Sequence, residues 1–478
     1  MKSLWIYLFS FSFLFAEEFP LVFTEHVLFP EEKPFSYTAV TGSLPVLIDK
    51  NSNDPPSEIF FTAYLNFEQQ RRPITFVFPG GPGASCAIET LCSFGPKRLL
   101  TLAEGKKNLP PYELIDNPQT LLPWTDLVFV DPPGTGFSTL DISTMPSNLF
   151  SVEGDFAILG EFVRAFTALF KCWNSPKFLL GTSYGSSRSC GVANYLLQHD
   201  LSLHGLMLMG TAIDFSTLIG QHNRILPDSF LVPTFAATAW YHNRFGNGWE
   251  LEEVIDYAKR FCYEEYIPTL LQPHNMSELE TRTFYERLSK LIGLPYDTVR
   301  RYQGRFDENL YVKEFFGPER KVLGGLDTRY IGNLGIRTDD PSYREIQGIY
   351  CTYNQYLANE LDTNNPFITH IPFSQDSSEN WNYNTRDSIE FPELMQRLQQ
   401  TILYNPEMQV FVGSGYYDCR TPFAATEYCF EHLDLPTQYD KNLHFSYYKA
   451  GHGFIFDLPS LQKVHKDLVL FFEKTTKN

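Results

Sequence analysis

The chain has 478 residues, 43% hydrophobic and 20% charged, which is enough apolar material for one large domain with an insertion, or for two domains, and too much for long disorder. Its 56 acidic residues outnumber the 38 basic ones and leave a formal charge of −18, so nucleic acid is not an expected partner: such a surface repels phosphate backbones. The eight cysteines and 11 histidines fall at no metal-ligand spacing, and no metal site is expected.

The N-terminus reads Met1-Lys2-Ser3, a predominantly apolar run from Leu4 to Ala16, then Glu17-Glu18. A membrane span needs roughly 18 apolar residues. This run is shorter, and residues 1–16 fit a secretory signal peptide. The expectation is export, to the periplasm or out of the cell, with no membrane contact once the signal is removed. An even number of cysteines allows disulfides in an exported chain without fixing their pairing.

Short apolar runs then follow one another as candidate strands: Glu58–Leu65, Ile74–Phe78, Asp126–Val130, Lys177–Leu180, Gly205–Met209, Met408–Val412 and His444–Lys449. Several are continuously apolar, as strands buried on both faces are. Between them Val152, Phe156, Leu159, Val163, Phe166 and Phe170 recur at steps of three and four, one buried helix face. Leu461, Val464, Leu468 and Phe471 repeat the pattern near the end. Alternating strands and helices predict an α/β fold with a mostly parallel central sheet flanked by helices. The alternation stops near Ala212 and resumes near Met408. Residues 17–211 and 401–478 are therefore read as the core, and residues 212–400 as a large, mainly helical cap insertion.

Gly181-Thr182-Ser183-Tyr184-Gly185 follows an apolar strand and opens a helix. In that setting GxSxG thrusts its serine out on a strained turn, so Ser183 is the candidate nucleophile. Upstream, a strand ends in Gly80-Gly81-Pro82-Gly83, a turn whose bare N–H groups suit a tetrahedral oxyanion. An acid and a base should follow, each after a strand. Asp418 and His452 do so, in the order Ser, Asp, His. The implied chemistry is attack by Ser183 on a carbonyl, proton transfer through His452, and orientation of the imidazole by Asp418. The segment from Asp131 to Ser138, DPPGTGFS, reads as a structural loop at the same sheet edge.

PGGPGAS, DPPGTGFS, GTSYG, SGYYDCRTPFAATEY and AGHGF, in this order, resemble the signature blocks of the serine carboxypeptidase family, most closely its bacterial branch. The cap segments GRFDENLYVKEFF, GGLDTRY and DPSYREIQGIYCTYNQYL resemble it too. The resemblance implies an α/β-hydrolase fold and no cofactor. It also implies a triad of Ser183, Asp418 and His452, and oxyanion donors at the backbone N–H of Gly81 and of Tyr184. Peptide substrates would lose C-terminal residues, with Gly80 and Thr182 at the substrate. Two positions depart from the family. It carries Asn before its GGPG and Glu before the serine, where this chain has Pro79 and Thr182. Those two side chains help hold the substrate's terminal carboxylate, the Glu in protonated form. Pro offers no hydrogen-bonding group and Thr only a neutral hydroxyl. Three other readings fit the same blocks: an aminopeptidase of the proline-iminopeptidase type, an esterase, and a binding module on an inactive hydrolase scaffold. The sequence leaves oligomeric state open.

Overall fold

The computed structural model describes residues 20–476 except 31–32, 49–55, 101–108, 139–148, 221–223, 336–339, 347, 364–367 and 386–391. The expected signal segment, residues 1–16, lies outside the described residues. Nine strands form the central sheet. They are β1 (Val22–Leu28), β2 (Phe35–Val46), β3 (Ser57–Leu65), β4 (Ile74–Phe78), β5 (Asp126–Val130), β6 (Lys177–Thr182), β7 (Gly205–Met209), β8 (Gln409–Gly415) and β9 (Leu443–Tyr448). The spatial order is β1-β2-β3-β5-β4-β6-β7-β8-β9. The β1–β2, β2–β3 and β3–β5 pairs are antiparallel, and every later pair is parallel. This is the α/β-hydrolase arrangement expected from the sequence.

Strands β1 and β2 were not among the sequence candidates. β1 alternates half-buried and exposed residues because it is the sheet edge, and Gly42 and Pro45 interrupt the apolar pattern of β2. The seven expected strands all form, three with the expected ends and four with an end shifted by one to three residues.

The pleat of the central strands divides the core in two. Phe76, Phe78, Leu179, Leu206, Leu208, Val410 and Val412 face helix α1 (Val152–Leu169) and helix α2 (Tyr184–Leu197). Their neighbours Val77, Phe178, Leu180, Met207 and Phe411 face the C-terminal helix Leu458–Thr476 through Leu461, Val464, Leu468 and Phe471. Burial on both faces is why these strands read as unbroken apolar runs.

Within the expected cap span, 212–400, the chain does several things. Helix α3 (Leu226–Tyr241) packs with the helices from Leu251 to Glu314 around a separate core that includes Phe235, Phe261, Leu288 and Tyr311. Helix Ile349–Asn359 instead lies against the sheet, where Tyr353 and Tyr356 meet Thr62 and Tyr64. Residues 371–374 return along the rim: Ser85 N–H donates to Pro372 O, Gly136 N–H to Ile371 O and Ser374 N–H to Gly83 O. All eight cysteines are free thiols. Among the described residues no helix is long and apolar enough to cross a membrane.

Candidate active site

Strand register brings the candidate residues to one rim. Phe78 pairs with Gly181, Thr182 with Met209, Met209 with Gly413, and Gly413 with Ser446. The C-terminal ends of β4, β6, β7, β8 and β9 are therefore level, and the loops that follow open on the same side.

Ser183 sits between β6 and α2 with φ 56° and ψ −125°, a conformation rare for a residue with a side chain. The two glycines of GTSYG are required by contact. A Cβ on Gly181 would stand 1.9 Å from Gly185 O, and one on Gly185 would stand 2.4 Å from Phe78 O. The turn can be this tight only where neither carries a side chain. Gly80 is held as closely, since a Cβ there would meet Ser183 Cβ at 2.7 Å. Gly81 takes φ 104°, open to glycine alone in practice.

Asp418 is fully buried, and its carboxylate is saturated with donors. Oδ1 accepts from the backbone N–H of Arg420 at 2.7 Å and of Thr421 at 3.0 Å. Oδ2 accepts from Thr421 Oγ1 at 2.6 Å and lies 2.8 Å from His452 Nδ1. Burial alone would raise the Asp418 pKa. The charge and hydrogen bond of His452, helped by Thr421, outweigh it and hold the carboxyl below the usual range. Burial would lower the His452 pKa, but Asp418 more than compensates and leaves it above the usual imidazole value. An ionised Asp418 can only accept, so Nδ1 carries the proton and Nε2 is left as the basic nitrogen.

Ser183 and His452 line one cavity of about 400 Å³, with Gly80, Gly81, Thr182 and Glu89. No hydrogen bond joins the Ser183 hydroxyl to His452 among the described residues. A second cavity of about 370 Å³ opens on the other side of Ser183, lined by Tyr184, Phe215, Leu218, Leu231 and Arg420. Gly81 borders both. Tyr184 is the first residue of α2, so its N–H has no carbonyl partner within the helix. Among the described residues no cluster of His, Cys, Asp and Glu could hold a metal ion.

Three supports of this rim escaped the sequence reading. Arg188 on α2 is fully buried: its Nε donates to Asp155 of α1 at 2.7 Å, and its Nη1 donates to the carbonyl of Pro79, directly before the glycine turn. Asp327 of GGLDTRY pairs with Arg329 at 2.6 Å and accepts from Gly451 N–H at 2.8 Å, while Leu326 O accepts from His452 N–H at 2.6 Å. The cap thus clamps the histidine loop. Glu89 lies beside the residue before the nucleophile, where Thr182 Oγ1 donates to its Oε1 at 2.5 Å. A lone Glu or Arg in an apolar helix carries no chemical signature in sequence; GGLDTRY stood out only as a resemblance. Asp131 fills the structural part expected of its loop, accepting from Cys86 N–H at 2.9 Å and pairing with His370 at 2.8 Å.

The sequence profile of the serine carboxypeptidase family matches residues 33–453. Among solved structures, a prohormone-processing carboxypeptidase from Saccharomyces cerevisiae, Kex1, superposes with a TM-score of 0.58 at 16% identity, over 92% of this chain and 91% of that one. A thermostable carboxyl esterase from Bacillus coagulans gives a TM-score of 0.39 at 11% identity, over 91% of this chain and 98% of its own. No curated protein matches the sequence.

Proposed function

Because the chain belongs to the serine carboxypeptidase family, we propose that it releases C-terminal residues from peptides through an acyl-enzyme on Ser183. His452 Nε2 takes the hydroxyl proton as Ser183 Oγ attacks the carbonyl carbon, and returns it to the departing amine. Asp418 holds the Nδ1–H tautomer and stabilises the imidazolium that forms. The N–H groups of Gly81 and Tyr184 receive the oxyanion, aided by the positive end of α2. Water then repeats the cycle against the ester. The two cavities flanking Ser183 suit a substrate lying across it, acyl side in one and leaving residue in the other.

The observation that carries this reading is the Asp418–His452 contact, presented on two neighbouring strand ends to the cavity that a strained Ser183 lines. It favours a working hydrolase over an inactive scaffold, because this imidazole, unlike the buried His370 held by Asp131, opens on the cavity that Ser183 lines. Ser183→Ala should abolish both turnover and fluorophosphonate labelling; labelling that persists would sink the assignment. Peptides blocked at the N-terminus should be trimmed and C-amidated ones refused. The reverse preference would point to the aminopeptidase reading, and turnover of esters alone to an esterase. We also propose export, on the apolar run Leu4–Ala16, and N-terminal sequencing of the mature protein should find that run removed.

A further inference from the structure

A carboxypeptidase releases one residue, so the cavity on the leaving side can be blind, but the acyl part is a chain of any length and needs a way out. The two cavities flanking Ser183 are told apart by the histidine. His452 returns its proton to the departing amine, and of the two it borders the one of about 400 Å³. The acyl part therefore falls to the other, of about 370 Å³.

That acyl-side cavity has a neighbour. A third cavity, of about 740 Å³, opens in the cap between residues 269–276, helix Glu278–Ile292 and residues 302–310. Gly220, Asp228 and Asp307 line both it and the cavity beside Ser183. Gly220 and Asp307 are exposed, so the two spaces meet over a lip at the surface rather than across a closed wall. Gly220 keeps that lip low: a Cβ there would come near Asp228 Oδ1, at 3.3 Å, and nothing else within 4 Å.

The combined cleft suits an extended peptide. Phe215, Leu218 and Ile219 line its near part, and Tyr285, Tyr302 and Leu310 its far part, giving apolar faces for side chains. Asn309 and Gln303 supply amides that both donate and accept, as a peptide backbone requires. Charge along the cleft is uneven. Asp228 is met by Arg305 at 2.7 Å, and Glu308 by Arg420 at 3.1 Å. Asp307 is exposed and has no ion pair among the described residues; its Oδ1 accepts the Leu310 N–H at 2.8 Å as a helix cap. A carboxylate without a counter-ion on the lip favours a cation there.

We propose that the cap cavity is the far part of the acyl-side cleft, and that the protein takes extended oligopeptides whose acyl chain runs from Ser183 over Gly220 and Asp307 into it, with a basic side chain preferred where the chain passes Asp307. This rests on the exopeptidase reading above. Contacts so far from the scissile bond add binding energy that raises kcat/KM, and the bonds made and broken at Ser183 stay the same.

The test compares an N-blocked dipeptide and octapeptide with the same free C-terminal pair, on wild type, Gly220→Phe, Tyr285→Ala and Asp307→Asn, with fluorophosphonate labelling of Ser183 to verify an intact site. In wild type, kcat/KM should rise at least about tenfold from the dipeptide to the octapeptide, which is what burying one apolar side chain supplies. Gly220→Phe blocks the lip and Tyr285→Ala strips the far cavity, and each should lower kcat/KM for the octapeptide about tenfold more than for the dipeptide. A lysine moved through the acyl part of the octapeptide should help about two- to fivefold at one position, and Asp307→Asn, which keeps the helix cap, should erase that gain. Rates that do not change with length, or variants that slow both peptides alike, overturn the assignment of the cap cavity. A lysine gain that is absent, or that survives Asp307→Asn, overturns the role of Asp307. Wild type that labels at Ser183 but trims neither free-acid peptide overturns the exopeptidase reading instead.

Discussion

Replacing Arg188 with Met should destabilise the protein far more than its distance from the reacting atoms suggests. Arg188 and Asp155 are both 0% exposed, 2.7 Å apart, and tie α2 to α1. The guanidinium also spans the Tyr184 ring at 5.1 Å and donates to the Pro79 carbonyl. Without it, Asp155 remains a buried carboxylate whose Oδ1 already lacks a partner. Breaking such a pair costs about 3–5 kcal/mol, a large share of the roughly 5–15 kcal/mol that holds a protein folded. The cost should depend on pH with a definite sign. Burial raises the Asp155 pKa even with Arg188 opposing it, and more so without. A carboxyl whose folded pKa exceeds its unfolded one penalises folding as pH rises past the unfolded value. The variant should therefore lie closest to wild type in acid and fall away toward neutrality. The double variant Asp155→Leu/Arg188→Met removes both charges and should recover most of the loss, since apolar replacement of a buried pair is often neutral or better. Urea unfolding followed by tryptophan fluorescence on the four proteins gives the coupling energy, expected at about 3 kcal/mol. A single-variant cost below about 1 kcal/mol, or a double variant as unstable as the two singles summed, would refute the reasoning.

Asp418→Asn should leave the fold intact and lower kcat by about four orders of magnitude, because the amide favours the wrong imidazole tautomer; stopped assays on the purified variant read it directly. Asp327→Ala should free the His452 loop from the cap, lowering kcat more than it raises KM, with unchanged far-UV circular dichroism. The pH profile should show an acid limb on kcat/KM for every substrate. His452 must be neutral to act, and Asp418 raises its pKa, so activity climbs with pH through a midpoint above the ordinary imidazole value. In Asp418→Asn that midpoint should move down; a midpoint that stays put would mean another group sets the limb. Gly80→Ala should cut turnover severely and also cost about 1–3 kcal/mol of stability, since its Cβ would collide with that of Ser183 at 2.7 Å and the backbone must shift to relieve it.

Much of this molecule is written locally. Continuous apolar runs marked the central strands because both sheet faces are covered, and GTSYG named the candidate nucleophile because the turn it makes admits only glycines at Gly181 and Gly185. The order Ser183, Asp418, His452 followed from strand ends alone. What the sequence withheld depends on contacts between residues far apart in the chain. Strand β1 carries a weak pattern because one side of an edge strand has no partner, and β2, paired on both sides, is masked by Gly42 and Pro45 within it. Arg188 and Asp327 look like ordinary charged residues until packing buries them against Asp155, the Pro79 carbonyl and the His452 loop. Thr182 reads as the loss of an acid, and only the approach of Glu89, brought alongside by the pairing of β4 with β6, returns one to the same place. Chain-local geometry decided the candidate nucleophile and the sheet, while burial, which no stretch of sequence sets by itself, decided which charges support the site.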